Sequence, residues 1–292
     1  MKHSKRLEFG DFAPEYTDRS TSKAVIVPVP YDGTSTYIKG SDQGPEAILR
    51  ASPNLEFYDT QTDSEVFTEG IYTDDPIVEN ASPEAMSAAV RKRITGWLNE
   101  GKFPILLGGE HSVSIGAFEA MAAKYTDLTI LQLDAHSDLR DEYEGSPNNH
   151  ACVMARAKEL CPIVQVGIRS MDVGEKKNMD KSRVFFADDI CDRQGRGWID
   201  KCIGMLTDNV YITIDLDVFD PSVLPATGTP EPGGMNWYDV TALMKRVFRS
   251  RNVVGFDVVE LCPRPQHWGS DFLAAKLVYA LLTYRYRSVS PM

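Results

Sequence analysis

Four apolar runs, at residues 103–107, 128–133, 210–214 and 253–259, recur through the middle and end of the chain. Each is short enough for a strand. Being apolar at nearly every position, each suits a strand covered on both faces, as in the parallel sheets of α/β proteins. Other stretches space their apolar residues as helices do, at residues 83–99, 114–124, 237–248 and 271–284. A further helix is expected to start near Ala151, after a polar, turn-rich loop. This alternation predicts an α/β chain. No linker or shift in composition divides the 292 residues. One domain is therefore expected over residues 23–292, after a polar N-terminal arm at residues 1–22.

Two of the runs end in side chains that bind metals. Asp134-Ala135-His136-Ser137-Asp138 continues the second run, and Asp215-Leu216-Asp217 continues the third. In an extended chain alternate side chains share a face, so Asp134, His136 and Asp138 point one way, as do Asp215 and Asp217. A single Asp-x-Asp after a strand is commonly just a turn or helix cap. Three ionisable groups on one face are different, because they repel one another and lose solvation unless a cation holds them. Parallel sheets also gather their ligands at the carboxyl ends of the strands, where both motifs stand. Gly108-Gly109-Glu110-His111-Ser112 ends the first run. Its glycines permit a tight turn that carries His111 to the same rim. The six groups form a hard, oxygen-rich set without thiolates, which suits two Mn²⁺ ions and leaves Ni²⁺, Co²⁺ and Fe²⁺ open.

In G-G-E-H-S at 108–112, D-A-H-S-D at 134–138, D-L-D-V-F-D-P-S at 215–222 and A-T-G-T-P-E-P-G-G at 226–234, the chain resembles the ureohydrolases, the family of arginases and agmatinases. The last motif is typical of the agmatinase branch. The resemblance runs from about Val25 to the C-terminus. It implies a three-layer α/β/α sandwich around a mostly parallel eight-stranded sheet. It also implies that His111, Asp134, Asp138 and Asp215 bind one manganese ion and that Asp134, His136, Asp215 and Asp217 bind the other. By the same resemblance, Glu260 holds the substrate guanidinium, His150 carries a proton to the leaving amine, and Asp257 supports the site from behind. Asp138, His150 and Glu260 would stand nearest the chemistry, the attack of a water shared by two ions on a poorly electrophilic guanidinium carbon. Relatives form trimers or hexamers, so a homo-oligomer is expected.

The substrate must be read from loops. Arginases hold the amino-acid end of arginine with Asn, Thr and Ser after the Asp-x-His-x-Asp motif, whereas this chain has Leu139-Arg140-Asp141-Glu142-Tyr143-Glu144 there. Three acids against one Arg suggest a pocket mouth that welcomes an amine tail, with Asp141 among its contacts, so the expected reaction splits agmatine into putrescine and urea. Arg140 keeps an alternative open, in which it holds the carboxylate of 4-guanidinobutyrate or 3-guanidinopropionate. Arginine as substrate, or a non-catalytic metal-binding relative, are further alternatives. Two departures from the family pattern are Ser137, where relatives usually have Thr or Ala, and the segment 266–271, which leaves the outer substrate contacts undefined.

Charge narrows the picture further. Two divalent ions, four carboxylates and one hydroxide leave about −1, which favours a small cationic guanidino substrate. The net charge of −11 argues against general nucleic-acid binding. No apolar segment is long enough for a membrane span, and the polar N-terminus reads as no signal peptide, so a cytoplasmic protein is expected. The five cysteines have no ligand spacing and read as reduced thiols.

Overall fold

The computed structural model describes residues 6–191 and 195–287. Strands β1 (Ala24–Val29), β4 (Ile71–Thr73), β5 (Phe103–Gly108), β6 (Leu128–Leu133), β7 (Ile163–Ile168), β8 (Val184–Phe186), β9 (Asn209–Asp215) and β10 (Asn252–Val259) form one sheet; β2 (Tyr58–Asp59) and β3 (Ser64–Glu65) make a separate small hairpin. The sheet order is β4-β1-β5-β10-β9-β6-β7-β8, and every pairing in it is parallel. The expected eight-stranded α/β architecture is the one observed.

Alternation along the strands builds the three layers. Ile26, Ile105, Leu107, Ile212 and Phe256 face one core, which α2 (Gly44–Ala51), α7 (Gly197–Gly204), α8 (Trp237–Ser250) and α9 (Trp268–Tyr286) cover. Val25, Val27, Leu106, Ile130 and Tyr211 face the other core, beneath α3 (Pro83–Asn99), α4 (Ser114–Lys124) and α5 (Val153–Leu160). Helix starts follow the local chemistry. Ser82 caps α3 by accepting from the Ala85 N–H, with Pro83 in the first turn, and Asn236 caps α8 by accepting from the Tyr238 and Asp239 N–H groups. Helices α3 and α4 keep their expected bounds, whereas α9 begins before residue 271, at Trp268, because the chain leaves its positive-φ bend at Gln266.

The arm expected over residues 1–22 lies against the domain in its described part. Phe9 is fully buried, the N–H groups of Phe9 and Gly10 donate to Thr73 Oγ1 and Ser52 Oγ, and the Phe12 ring stacks on Phe67. Burial of Phe9 and Phe12 removes apolar area from water that a free arm would expose. Residues 1–5 and 288–292 lie outside the described residues, as does the side chain of Cys191. Cys152, Cys161, Cys202 and Cys262 are free thiols. No helix among the described residues is long and apolar enough to cross a membrane.

Candidate metal centre and substrate cavity

The central strands β5, β10, β9 and β6 are sheet neighbours, and their carboxyl ends deliver His111, Glu260, Asp215 and Asp134 to one rim. Ligand-type atoms of His111, Asp134 and Asp215 lie within 4.8 Å of one another, and so do those of Asp134, His136 and Asp217. Asp134 belongs to both groups. The Asp138 carboxylate stands beside the first, 3.1 Å from His111 Nδ1.

These residues fit divalent ions. His111 Nδ1 is buried without a hydrogen bond, although Asp134, Asp138 and Asp215 oxygens lie 3.1–3.5 Å away. Burial and the nearby Asp134 charge push Asp138 up to about 7, and burial with the repulsion of Asp217 and Asp134 raises Asp215 well above the carboxylate range. A site this short of positive charge is one that cations complete.

Backbone geometry holds the cluster. Asp215 Oδ1 accepts from the Asp217 N–H at 2.9 Å, and Asp217 Oδ1 accepts from the Ala135 N–H at 2.9 Å, which ties the two motifs together. Asp138 and Glu260 both have positive φ, 51° and 65°, a conformation costly for a residue with a Cβ and typical of functional positions. Gly109, expected to permit a tight turn, has no positive φ. A Cβ there would sit 1.9 Å from the Tyr31 carbonyl oxygen, so glycine is required by close approach.

A polar row lies one pleat below the ligands, and the sequence reading passed over most of it. Gln165, Gln132, Thr213 and Asp257 are register partners on β7, β6, β9 and β10. Gln165 Nε2 donates to Gln132 Oε1, and Gln132 Nε2 donates to Asp134 Oδ2 at 2.7 Å. His111 Nε2 meets Thr213 Oγ1 at 2.8 Å, and that hydroxyl donates to Asp257 Oδ1 at 2.6 Å. The signal was present: Gln132 and Thr213 are polar residues inside apolar runs, each two positions before a ligand, so each shares that ligand's face.

The cavity in front of the cluster has a volume of about 340 Å³; its wall includes Thr36, Arg140, Tyr143, His150, Asp172, Glu175, Thr229 and Glu260. Glu260 accepts from the His111 N–H at 2.8 Å and from Ser41 Oγ at 3.1 Å, and burial beside Glu110 raises it to about 8. His150 is lowered to about 4 by burial and by the positive charges of His111 and His136.

Arg140 is occupied. Its Nε lies 3.2 Å from Glu175, its Nη2 lies 3.8 Å from Asp172, and its guanidinium stacks on Tyr143. Asp141 is not in the cavity wall; it is exposed, with Lys177 2.9 Å away and the Asn178 amide donating to it. Glu142 and Glu144 are exposed too and do not line the cavity. The acids at its mouth are instead Asp172 and Glu175, from a later loop that the sequence reading did not single out. Segment 266–271 lines no part of this cavity.

Comparison with known proteins agrees with this picture. A sequence model described as the Arginase family matches residues 22–283. The chain is 39% identical to an N(1)-aminopropylagmatine ureohydrolase of Synechocystis sp., covering 92% of this chain and 90% of that protein. It is 36% identical to an agmatinase of Halalkalibacterium halodurans, covering 83% and 84% of the two chains. Among solved structures, an agmatine ureohydrolase of Thermoplasma volcanium superposes with a TM-score of 0.83 at 33% identity, over 95% of this chain and 94% of that one.

Proposed function

This chain belongs to the arginase family of ureohydrolases, enzymes acting on linear amidines, and on that premise we propose that it hydrolyses agmatine to putrescine and urea. The observation that carries the substrate reading is the Arg140–Glu175 pair. An arginine already held at 3.2 Å by a buried carboxylate is poorly placed to bind a substrate carboxylate, and Asp172 and Glu175 leave that wall with more acid than base. A cationic tail is favoured over that of 4-guanidinobutyrate, 3-guanidinopropionate or arginine.

His111, Asp134, Asp138 and Asp215 would hold one Mn²⁺, and Asp134, His136, Asp215 and Asp217 the other. When bound, the ions supply a water acidified enough to attack the guanidinium carbon. Glu260 accepts guanidinium N–H groups with the lone pairs that His111 N–H and Ser41 leave free, which orients the carbon. His150, half-buried and kept neutral near pH 7 by desolvation and the positive charges beside it, takes the proton released by the attacking water and returns it to the departing amine nitrogen. Asp172 and Glu175 face the tail.

A longer substrate is the second reading. N(1)-aminopropylagmatine carries the same guanidinium with additional amine charge, and the Synechocystis relative is named for it. Urea release by the Mn²⁺-loaded protein should be measured on agmatine, N(1)-aminopropylagmatine, arginine, 4-guanidinobutyrate and 3-guanidinopropionate. Agmatine should give the highest kcat/KM, a higher value for the aminopropyl compound would establish the second reading, and urea from none of the five would overturn both.

A further inference from the structure

Glu110 stands in the G-G-E-H-S motif beside a metal-ligand candidate, is fully buried, and has no part in the mechanism above. It is an acceptor on every side. Ser112 donates to it through N–H at 2.8 Å and Oγ at 2.7 Å, and Thr34 donates through N–H at 3.3 Å and Oγ1 at 3.0 Å. Thr34, itself buried on the loop after β1, also touches His150 twice: the His150 N–H donates to Thr34 Oγ1 at 3.0 Å, and His150 Nδ1 lies 3.1 Å from the same oxygen.

A hydroxyl has one proton to donate and two lone pairs. With the Thr34 proton directed to Glu110, both lone pairs face His150, so Nδ1 must arrive as a donor. We propose that Thr34 and Glu110 are positioning residues that fix His150 as the Nδ1–H tautomer, leaving Nε2 as the ring nitrogen that exchanges protons with the substrate side of the cavity. The inference rests on the reading of His150 as the proton carrier.

The same device serves His111 in the opposite sense. There Thr213 donates to Asp257 and receives Nε2, which leaves Nδ1 free for the cluster. Two histidines are thus each held through a threonine backed by a buried carboxylate, by opposite ring nitrogens. For His150 the arrangement also ties its loop to the turn after β1, since its backbone and its ring end on one hydroxyl. A change of tautomer would leave that hydroxyl facing the Nδ1 lone pair, a repulsive contact, and a flipped ring would offer it only the Cδ2–H, so either loses the hydrogen bond in a part-buried place.

The test reads the tautomer directly. The chain has five histidines, so ¹⁵N-histidine labelling gives a countable set of ring nitrogens. With Zn²⁺ as a diamagnetic ion and a His150→Gln variant for assignment, His150 should show a protonated Nδ1 and an unprotonated Nε2. Thr34→Val, which keeps the shape and removes the hydroxyl, should mix the tautomers. It should also lower kcat on agmatine about tenfold, with KM within about twofold and bound metal unchanged. Thr34→Ser should restore both the spectrum and kcat, which separates positioning from a folding defect. A wild-type His150 protonated on Nε2, or a Thr34→Val protein with an unchanged tautomer, would overturn the proposal. Absence of urea release from the wild-type protein would instead overturn the functional reading and leave the tautomer result standing.

Discussion

His111 and His136 both direct Nδ1 at aspartates of the cluster, but what stands behind the two rings differs. His111 is 1% exposed, and its Nε2 meets Thr213 at 2.8 Å in a relay that continues to Asp257. The His136 side chain is 26% exposed, and its Nε2 faces Glu231, 3.9 Å away and half-buried. One ligand candidate is therefore set by the sheet, through residues locked in strand register. The other is set by loops. Behind it Arg169 gathers the carbonyls of Asp217, Glu231 and Pro232 with its guanidinium, tying the loop after β9 to the loop that carries Glu231. The orientation of an imidazole depends on the partner of its second nitrogen, and a buried relay restrains it far better than a half-buried carboxylate beyond hydrogen-bond reach.

The comparison breaks most completely at Asp134, the residue common to both ligand groups. Asp134→Asn should cut urea release by about three orders of magnitude or more and bring bound Mn²⁺ below one ion per chain, measured by elemental analysis after desalting. An enzyme with both ions and near-normal activity would show that Asp134 does not bridge. Thr213→Val should act only on the His111 side. It leaves His111 Nε2 and Asp257 buried without their partner, so metal affinity should fall about 10- to 100-fold and stability by about 1–3 kcal/mol, read by calorimetric titration and by thermal melts of the metal-free protein. Thr213→Ser should recover most of both losses. If Thr213→Val binds metal as the parent does, the relay has no bearing on His111.

The division between sheet and loop also explains what the sequence disclosed. The strands were legible from their apolar runs and the metal motifs from the ionisable groups that follow them, but the alternation expected to align those groups stops at the strand ends: Asp217 stands in the 3-10 turn Leu216–Val218 and Asp138 has a positive φ of 51°. Alternation says nothing about which strands are neighbours. The order β5-β10-β9-β6, which brings Glu260 between His111 and Asp215, had to come from the structure or from the family resemblance. The cavity mouth was misread for the same reason. Asp141, Glu142 and Glu144 follow the metal motif in sequence, yet Asp141 turns out to Lys177, while Glu175 comes from the next loop to meet Arg140 and Ser137. The buried part of the N-terminal arm was missed because Leu7, Phe9 and Phe12 stand in a stretch too short and too rich in polar residues to announce a core contact.

The gentlest test lies on the exposed side. Glu231→Gln removes the charge facing His136 Nε2 while keeping the shape. A partly solvated pair at 3.9 Å contributes little, typically less than about 1 kcal/mol, and salt screens it. Urea release should therefore fall only about two- to threefold at low ionic strength, and the difference from the parent should shrink as salt is added. The Thr213→Val defect, being buried, should persist at the same salt. An equal and salt-independent loss in both variants would mean that Glu231 restrains His136 as firmly as the buried relay restrains His111, and the contrast between a sheet-set and a loop-set ligand would fail.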